Sequence, residues 1–136
     1  MKKMDKIVED VFEPELFYYK PPNVKEENEK DKRFKLLIIG WGSTYWPIYE
    51  AVEKLEGNDV AFLHFKQLYP LHPNTREMLE NADKTVILEN NAKGQFANLI
   101  KLETGFEIDK KVLKFNGMPF SVEEVIDILL EELGDD

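Results

Sequence analysis

Gly40-Trp41-Gly42-Ser43-Thr44 sets two glycines and two hydroxyls between an apolar run and a helical pattern. A loop of this kind, at a strand end and a helix start, offers backbone N–H groups and hydroxyls to an anion. It is not the dinucleotide fingerprint, because Tyr45 stands where a third glycine is needed, and it lacks the Gly-Lys-Ser/Thr of a phosphate loop. The same residues also fit a tight turn with Ser43 or Thr44 as a helix cap. A second loop, Glu89-Asn90-Asn91-Ala92-Lys93-Gly94-Gln95, again joins a strand end to a helix start. One carboxylate, two amides and a glycine are more polar hardware than a plain turn needs. The simpler account has Asn90 and Asn91 turning and capping the chain while Glu89 pairs locally. These two loops supply the candidate ligand-binding or subunit-contact residues. A third, Gln67 to Pro73 (QLYPLHP), reads as a rigid corner braced by prolines.

No catalytic residue and no metal ligand set is singled out. The two histidines, His64 and His72, are too few for a metal without carboxylate help, and neither HxxE nor HExxH spacing occurs. His64 lies inside an apolar run and reads as a packed or edge histidine. No GxSxG elbow or Ser/His/Asp constellation is present. Trp41, Tyr45 and Trp46 cluster at the first loop. They either fill the end of the core or form an exposed patch suited to an interface.

The elements that must position these loops follow from the apolar pattern. Phe34 to Ile39, Val60 to Phe65, Thr85 to Leu88 and Val112 to Phe115 are short apolar runs, as in strands buried on both faces. Between them lie helical stripes. Ile48, Ala51, Val52 and Leu55 precede Gly57, and Met78, Leu79 and Ala82 follow an Asn74–Glu77 capping box. Phe96, Leu99 and Ile100 precede Gly105. The last helix carries Val122, Val125, Ile126, Leu129, Leu130 and Leu133 behind a Ser121–Glu124 capping box, with Phe120 and Val125 as its staple. The order βαβαβαβα predicts a three-layer α/β/α domain with a mainly parallel sheet of four to five strands over residues 34–136. Residues 1–33 read as an N-terminal amphipathic helix (Met4, Ile7, Val8, Val11, Phe12) and a charged linker, Asn23 to Arg33. Leu16 to Tyr19 is a candidate edge strand.

Composition narrows the function classes. The chain has 136 residues, no cysteine and a formal charge of −9. Disulfides, thiolate metal sites and a cysteine nucleophile are thereby excluded for this chain. An acidic balance argues against a nucleic-acid partner, whose binding needs neutralised phosphates. Seven acids and no base fall between Ser121 and Asp136, while the preceding 120 residues carry 20 acids against 18 bases. The acidity thus belongs to the terminal helix and reads as its solvated face. No signal-like or membrane-length apolar segment occurs, so no membrane partner and a cytoplasmic location are expected.

Four stretches together resemble one protein type. They are GWGSTYWPIYEAV (Gly40 to Val52), HFKQLYPL (His64 to Leu71), VILENNAKGQFANLIKLETG (Val86 to Gly105) and VLKFNGMPFSVEEV (Val112 to Val125). Their order and spacing are similar to the C-terminal domain of the alpha subunit of 2-oxoacid:ferredoxin oxidoreductases, of the 2-oxoglutarate type. The resemblance covers about Phe34 to Leu133 and implies a transketolase C-terminal-like fold. It implies a whole enzyme that uses thiamine diphosphate, magnesium, iron–sulfur clusters and CoA to convert a 2-oxo acid to an acyl-CoA while reducing ferredoxin. This domain would be non-catalytic and carry none of those groups. Its partners would be the thiamine-diphosphate-binding domains or subunits, with ferredoxin reached only indirectly. Self-association as a homo-oligomer stays open. One departure stands inside the resemblance: Trp46 is bulky where the family pattern has a small residue. The alternative reading is a stand-alone CoA- or nucleotide-binding module, with helix N-termini at Ser43 and Gly94 holding a phosphate.

Overall fold

The computed structural model describes residues 13–18, 33–66, 70–90, 94–114 and 119–134. The elements are β1 (Glu15–Tyr18), β2 (Phe34–Trp41), a 3-10 turn (Gly42–Thr44), α1 (Tyr45–Lys54), β3 (Val60–Phe65) and α2 (Thr75–Glu80). They continue with β4 (Ala82–Glu89), α3 (Gln95–Thr104), β5 (Lys110–Leu113) and α4 (Val122–Gly134). The five strands form one sheet in the order β1-β3-β2-β4-β5. β2, β3, β4 and β5 are parallel, and β1 pairs antiparallel with β3.

Side-chain alternation along the central strands explains the three layers. Leu36 and Ile38 of β2, Phe62 of β3 and Val86 and Leu88 of β4 face one side, where α1 and α4 pack with Ile48, Ala51, Val125 and Leu129. Leu37, Ile39, Leu63 and Ile87 face the other side, against Leu79 of α2 and Phe96, Ala97 and Ile100 of α3. Right-handed crossovers produce this distribution. The chain steps outward from β2 to β3 through α1, then back across β2 to β4 and on to β5 through α2 and α3 on the opposite face.

Several local readings change. β2 runs through Gly40 and Trp41, so Gly40 is a strand residue and not part of the loop. A Cβ on Gly40 would lie 2.5 Å from Ile48 Cδ1 and 2.7 Å from Thr44 Oγ1, so packing requires glycine there. Asn74 makes no side-chain cap on α2; its amide instead donates to Glu13 Oε2 at 2.8 Å. The Ser121–Glu124 box is formed, with both reciprocal bonds at 3.1 Å. Glu124 is held below the usual carboxylate range, first by its bond to the Lys114 ammonium and next by the Ser121 backbone N–H. Leu130 lies outside the α4 stripe and is exposed. One acid of the terminal helix is not solvated either. Glu132 is 7% exposed and pairs with Lys84 Nζ at 3.0 Å. The N-terminal stripe of residues 4–12, Tyr19, the linker to residue 32 and Phe115 lie outside the described residues. Among the described residues no helix is long and apolar enough to cross a membrane.

Candidate functional site

The strand order places β2 and β4 side by side, with the chain leaving β2 toward one edge and β4 toward the other. That is the switch point of a doubly wound sheet, where a crevice opens at the carboxyl ends of the strands. Both candidate loops meet there. Asn90 Nδ2 donates to Ser43 Oγ at 3.3 Å across the crevice.

On the β2 side, the Thr44 hydroxyl shapes the loop. Its Oγ1 accepts from Trp41 N at 3.0 Å and donates to Trp41 O at 2.8 Å. Thr44 therefore closes the 3-10 turn and does not cap α1 with its side chain. Gly42 takes φ +61°, a left-handed value that suits glycine, and faces open space. Ser43 is exposed. The Trp41 ring lies edge-on to Phe96, 6.2 Å between centroids, which ties the loop to α3.

On the β4 side, Glu89 is fully buried. Its Oε1 accepts from Phe96 N at 2.9 Å and its Oε2 from Ala97 N at 3.1 Å. The carboxylate thus supplies from within what a helix N-terminus otherwise draws from a cap or a bound anion. Glu89 does pair within its own loop region, but with backbone donors seven and eight residues ahead. Gly94 precedes α3 at φ +59° and is buried, while Gln95 is exposed. Asn90 Oδ1 is enclosed and has no hydrogen-bond partner among the described residues. Asn91 lies outside the described residues, as do Gln67 to Tyr69 of the third loop. In what is described of that corner, His72 Nδ1 accepts from Asn74 N at 3.1 Å.

These contacts limit the chemistry. The Glu89 carboxylate already occupies two first-turn donors of α3, Phe96 N and Ala97 N. Pro47 removes one N–H from the first turn of α1. Ser43 faces an amide, and an amide is no general base. Among the described residues, the crevice presents outward the neutral hydrogen-bonding groups of Ser43 and Gln95. Trp46 is 65% exposed at the start of α1, so its bulk leaves the core undisturbed. Tyr45, Trp46 and Tyr49 form a contiguous aromatic set with ring centroids 5.1 to 6.2 Å apart. Of the three, Trp46 faces solvent and Tyr45 and Tyr49 are half-buried against the core; exposed aromatics are enriched at protein contact surfaces.

Sequence reasoning missed a cluster beside this surface. His64, at the end of β3, meets the Tyr45 ring edge-on at 4.7 Å and lies 3.5 Å from Glu15 Oε1 of β1. Alternation along β3 carried the signal for its face, but the partner strand is distant in sequence. Burial pushes the His64 pKa below its ordinary 6.5, outweighing the attraction of Glu15. The folded protein therefore resists a proton that the unfolded chain accepts. This contribution to stability is complete above about pH 6.5 and is lost as the pH falls below it. Urea titrations between pH 7.5 and pH 5 should show that loss, and His64→Gln should flatten it. An unchanged slope in the variant would refute the assignment.

An open, doubly wound α/β sheet with a polar, aromatic-flanked switch point defines the structural class. The chain is homologous to part of the alpha subunit of 2-oxoacid:ferredoxin oxidoreductases. It is 34% identical over 117 residues to 2-oxoacid:ferredoxin oxidoreductase 1 subunit alpha of Aeropyrum pernix, covering 82% of this chain and 18% of the relative. It is 36% identical over 93 residues to 2-oxoglutarate oxidoreductase subunit KorA of Mycobacterium tuberculosis, covering 67% of this chain and 14% of that one. The chain thus spans about a fifth or less of these curated relatives. No protein-family model matches it. Among solved structures, the alpha chain of a probable 2-oxoacid ferredoxin oxidoreductase from Thermoplasma acidophilum aligns at 29% identity and TM-score 0.52. That alignment covers 77% of this chain and 93% of the other. A 2-oxoglutarate:ferredoxin oxidoreductase from Magnetococcus marinus, solved with 2-oxoglutarate, coenzyme A and succinyl-CoA bound, shares the fold at TM-score 0.79 and 24% identity. It covers 96% of this chain and 21% of that one.

Proposed function

We propose that this sequence forms a non-catalytic, C-terminal part of the alpha subunit of a cytoplasmic 2-oxoacid:ferredoxin oxidoreductase of the 2-oxoglutarate type. Its role is to dock against the thiamine-diphosphate-binding domains or subunits and to shape the entrance to their active site. The observation that carries the reading is the crevice between β2 and β4. Among the described residues, Glu89 takes the Phe96 and Ala97 donors of α3, and the rim presents Ser43, Gln95 and the exposed Trp46, none of them charged. In such an enzyme thiamine diphosphate with magnesium supplies the decarboxylation chemistry, CoA takes the acyl group, and iron–sulfur clusters pass electrons to ferredoxin. The residues of this chain do not fit those groups. It has no cysteine for a cluster, and Glu89, the carboxylate at the crevice, is committed to α3. Those groups are therefore assigned to the partner domains. A stand-alone CoA or nucleotide site is the weaker reading, because a phosphate at α3 would have to displace the Glu89 carboxylate.

Purifying the native polypeptide that carries this sequence tests the proposal. A thiamine-diphosphate-binding domain is expected in the same polypeptide or complex, together with CoA-dependent reduction of ferredoxin by a 2-oxo acid. Trp46→Glu changes only an exposed side chain of this chain, yet it should weaken the association about tenfold or more, as loss of an interface anchor does. Recovery of a free monomer without any thiamine-diphosphate domain would overturn the proposal.

A further inference from the structure

Tyr45 is the hub of the aromatic cluster at the start of α1. Between centroids, its ring lies 5.7 Å from Phe17, 5.1 Å from Trp46, 5.7 Å from Tyr49, 6.0 Å from Phe62 and 4.7 Å from His64. Trp46 is 65% exposed, whereas the His64 side chain is 13% exposed. One ring therefore touches both the solvent-facing indole and a largely buried titratable group. His64 Nδ1 is enclosed and has no hydrogen-bond partner among the described residues. Glu15 Oε1 of β1 lies 3.5 Å away, farther than a charge-assisted hydrogen bond of about 2.7–2.9 Å. Lys66 Nζ, 3.5 Å from Glu15 Oε2, competes for the same carboxylate. From α1 the group facing His64 is the Tyr45 phenol ring, uncharged well beyond neutral pH. From β2 the register partner is Gly40, which brings no charge.

We propose that His64 is a proton sensor for the aromatic contact surface, passing proton uptake through the Tyr45 ring to Trp46. This regulation rests on the reading of Trp46 as a contact anchor. The imidazolium carries a proton on both ring nitrogens, so Nδ1 becomes a donor that must find an acceptor. Among the described residues Glu15 Oε1 is the acceptor within reach, and closing the gap to it draws the ring off its edge-on contact with Tyr45. The hub then loses its nearest neighbour. Trp46, which meets Tyr45 edge-on at 5.1 Å, is reset with it. Burial opposes the proton and Glu15 favours it less strongly. The contact surface is therefore set while His64 is neutral and loosened in acid.

The full chain has two tryptophans, Trp41 and Trp46, so fluorinated tryptophan gives two fluorine resonances, which Trp46→Phe assigns. Trp41 packs on the opposite face of the sheet, against Phe96, and is the internal reference. Between about pH 7.5 and about pH 5 the Trp46 resonance should shift with a single midpoint below 6.5. The His64 ring protons should titrate with the same midpoint, and Trp41 should not follow it. His64→Gln should abolish the Trp46 shift. Tyr45→Leu should abolish it too, while His64 goes on titrating. A shift that survives His64→Gln would belong to another group, such as Glu50 one helical turn on, and would overturn the proposal. So would a Trp46 resonance that stays fixed while His64 titrates, or a His64 that takes up no proton in the folded chain. None of these readings needs a partner, so they fail separately from the docking itself, which Trp46→Glu tests. Circular dichroism of each variant, unchanged from the parent, separates these outcomes from misfolding.

Discussion

Glu89→Ala should cost about 3 kcal/mol of stability, from two buried N–H groups left without their charged acceptor. For a chain of this length that lowers the melting temperature by about 10 °C. The physical reason is the position of the carboxylate. It is fully buried, and both oxygens are spent on Phe96 N and Ala97 N. Glu89→Gln keeps the shape but turns an NH2 group toward one of the two donors, so it should fall between alanine and the parent. Thermal unfolding followed by circular dichroism measures the loss. Hydrogen exchange locates it, with Phe96 and Ala97 amides exchanging faster than those at the far end of α3. A loss under about 1 kcal/mol for alanine would mean that water replaces the carboxylate and that the cap is dispensable.

Gly40→Ala should also destabilise, by about 1–3 kcal/mol, through overpacking. The added methyl would meet Ile48 Cδ1 at 2.5 Å and Thr44 Oγ1 at 2.7 Å. Ile48 is fully buried and has nowhere to retreat. Thr44 Oγ1 is pinned by two hydrogen bonds to the Trp41 backbone. Relieving the clash therefore disturbs the first loop of the crevice as well as the core, and Gly40→Val should prevent folding. Gly134→Ala, where nothing lies within 4 Å, is the control and should stay within about 0.5 kcal/mol of the parent. Chemical denaturation of the three variants decides the matter. Equal midpoints for Gly40→Ala and the parent would show that α1 has slack at its start.

These two residues mark where the sequence is legible and where it is not. Strands buried on both faces leave continuous apolar runs, so β2, β3 and β4 are readable, and crossover length then dictates a parallel sheet. Their ends are not readable. β2 continues through Gly40 and Trp41 because the neighbouring strand still pairs with it there, with Trp41 opposite Phe65. Ser121 and Glu124 announce their cap because both partners are local. Asn74 and Glu77 show the same pattern, yet the Asn74 amide is diverted to Glu13, sixty-one residues away. Glu89 stands out as a polar residue at a strand end, but its partners are backbone N–H groups, which leave no mark in a sequence. The meeting of the two loops follows from strand order, and only the assembled sheet reveals that order. Glu132 looks like one more acid of a solvated face until the position of Lys84 is known.

The antiparallel edge strand carries a consequence for how the molecule comes apart. Among the described residues β1 pairs only with β3, through four residues, whereas β3, β2, β4 and β5 are flanked by helices on both faces. Peeling β1 away breaks one short ladder and the ring contacts of Phe17 with Tyr45, Tyr49 and Phe62 and of Tyr18 with Phe34, but leaves the ladders of the four-stranded parallel body intact. Opening is therefore graded, with a partial step at the edge lying below global unfolding in free energy. His64 and Glu15 sit on that seam, so acid would loosen the edge before it loosens the body.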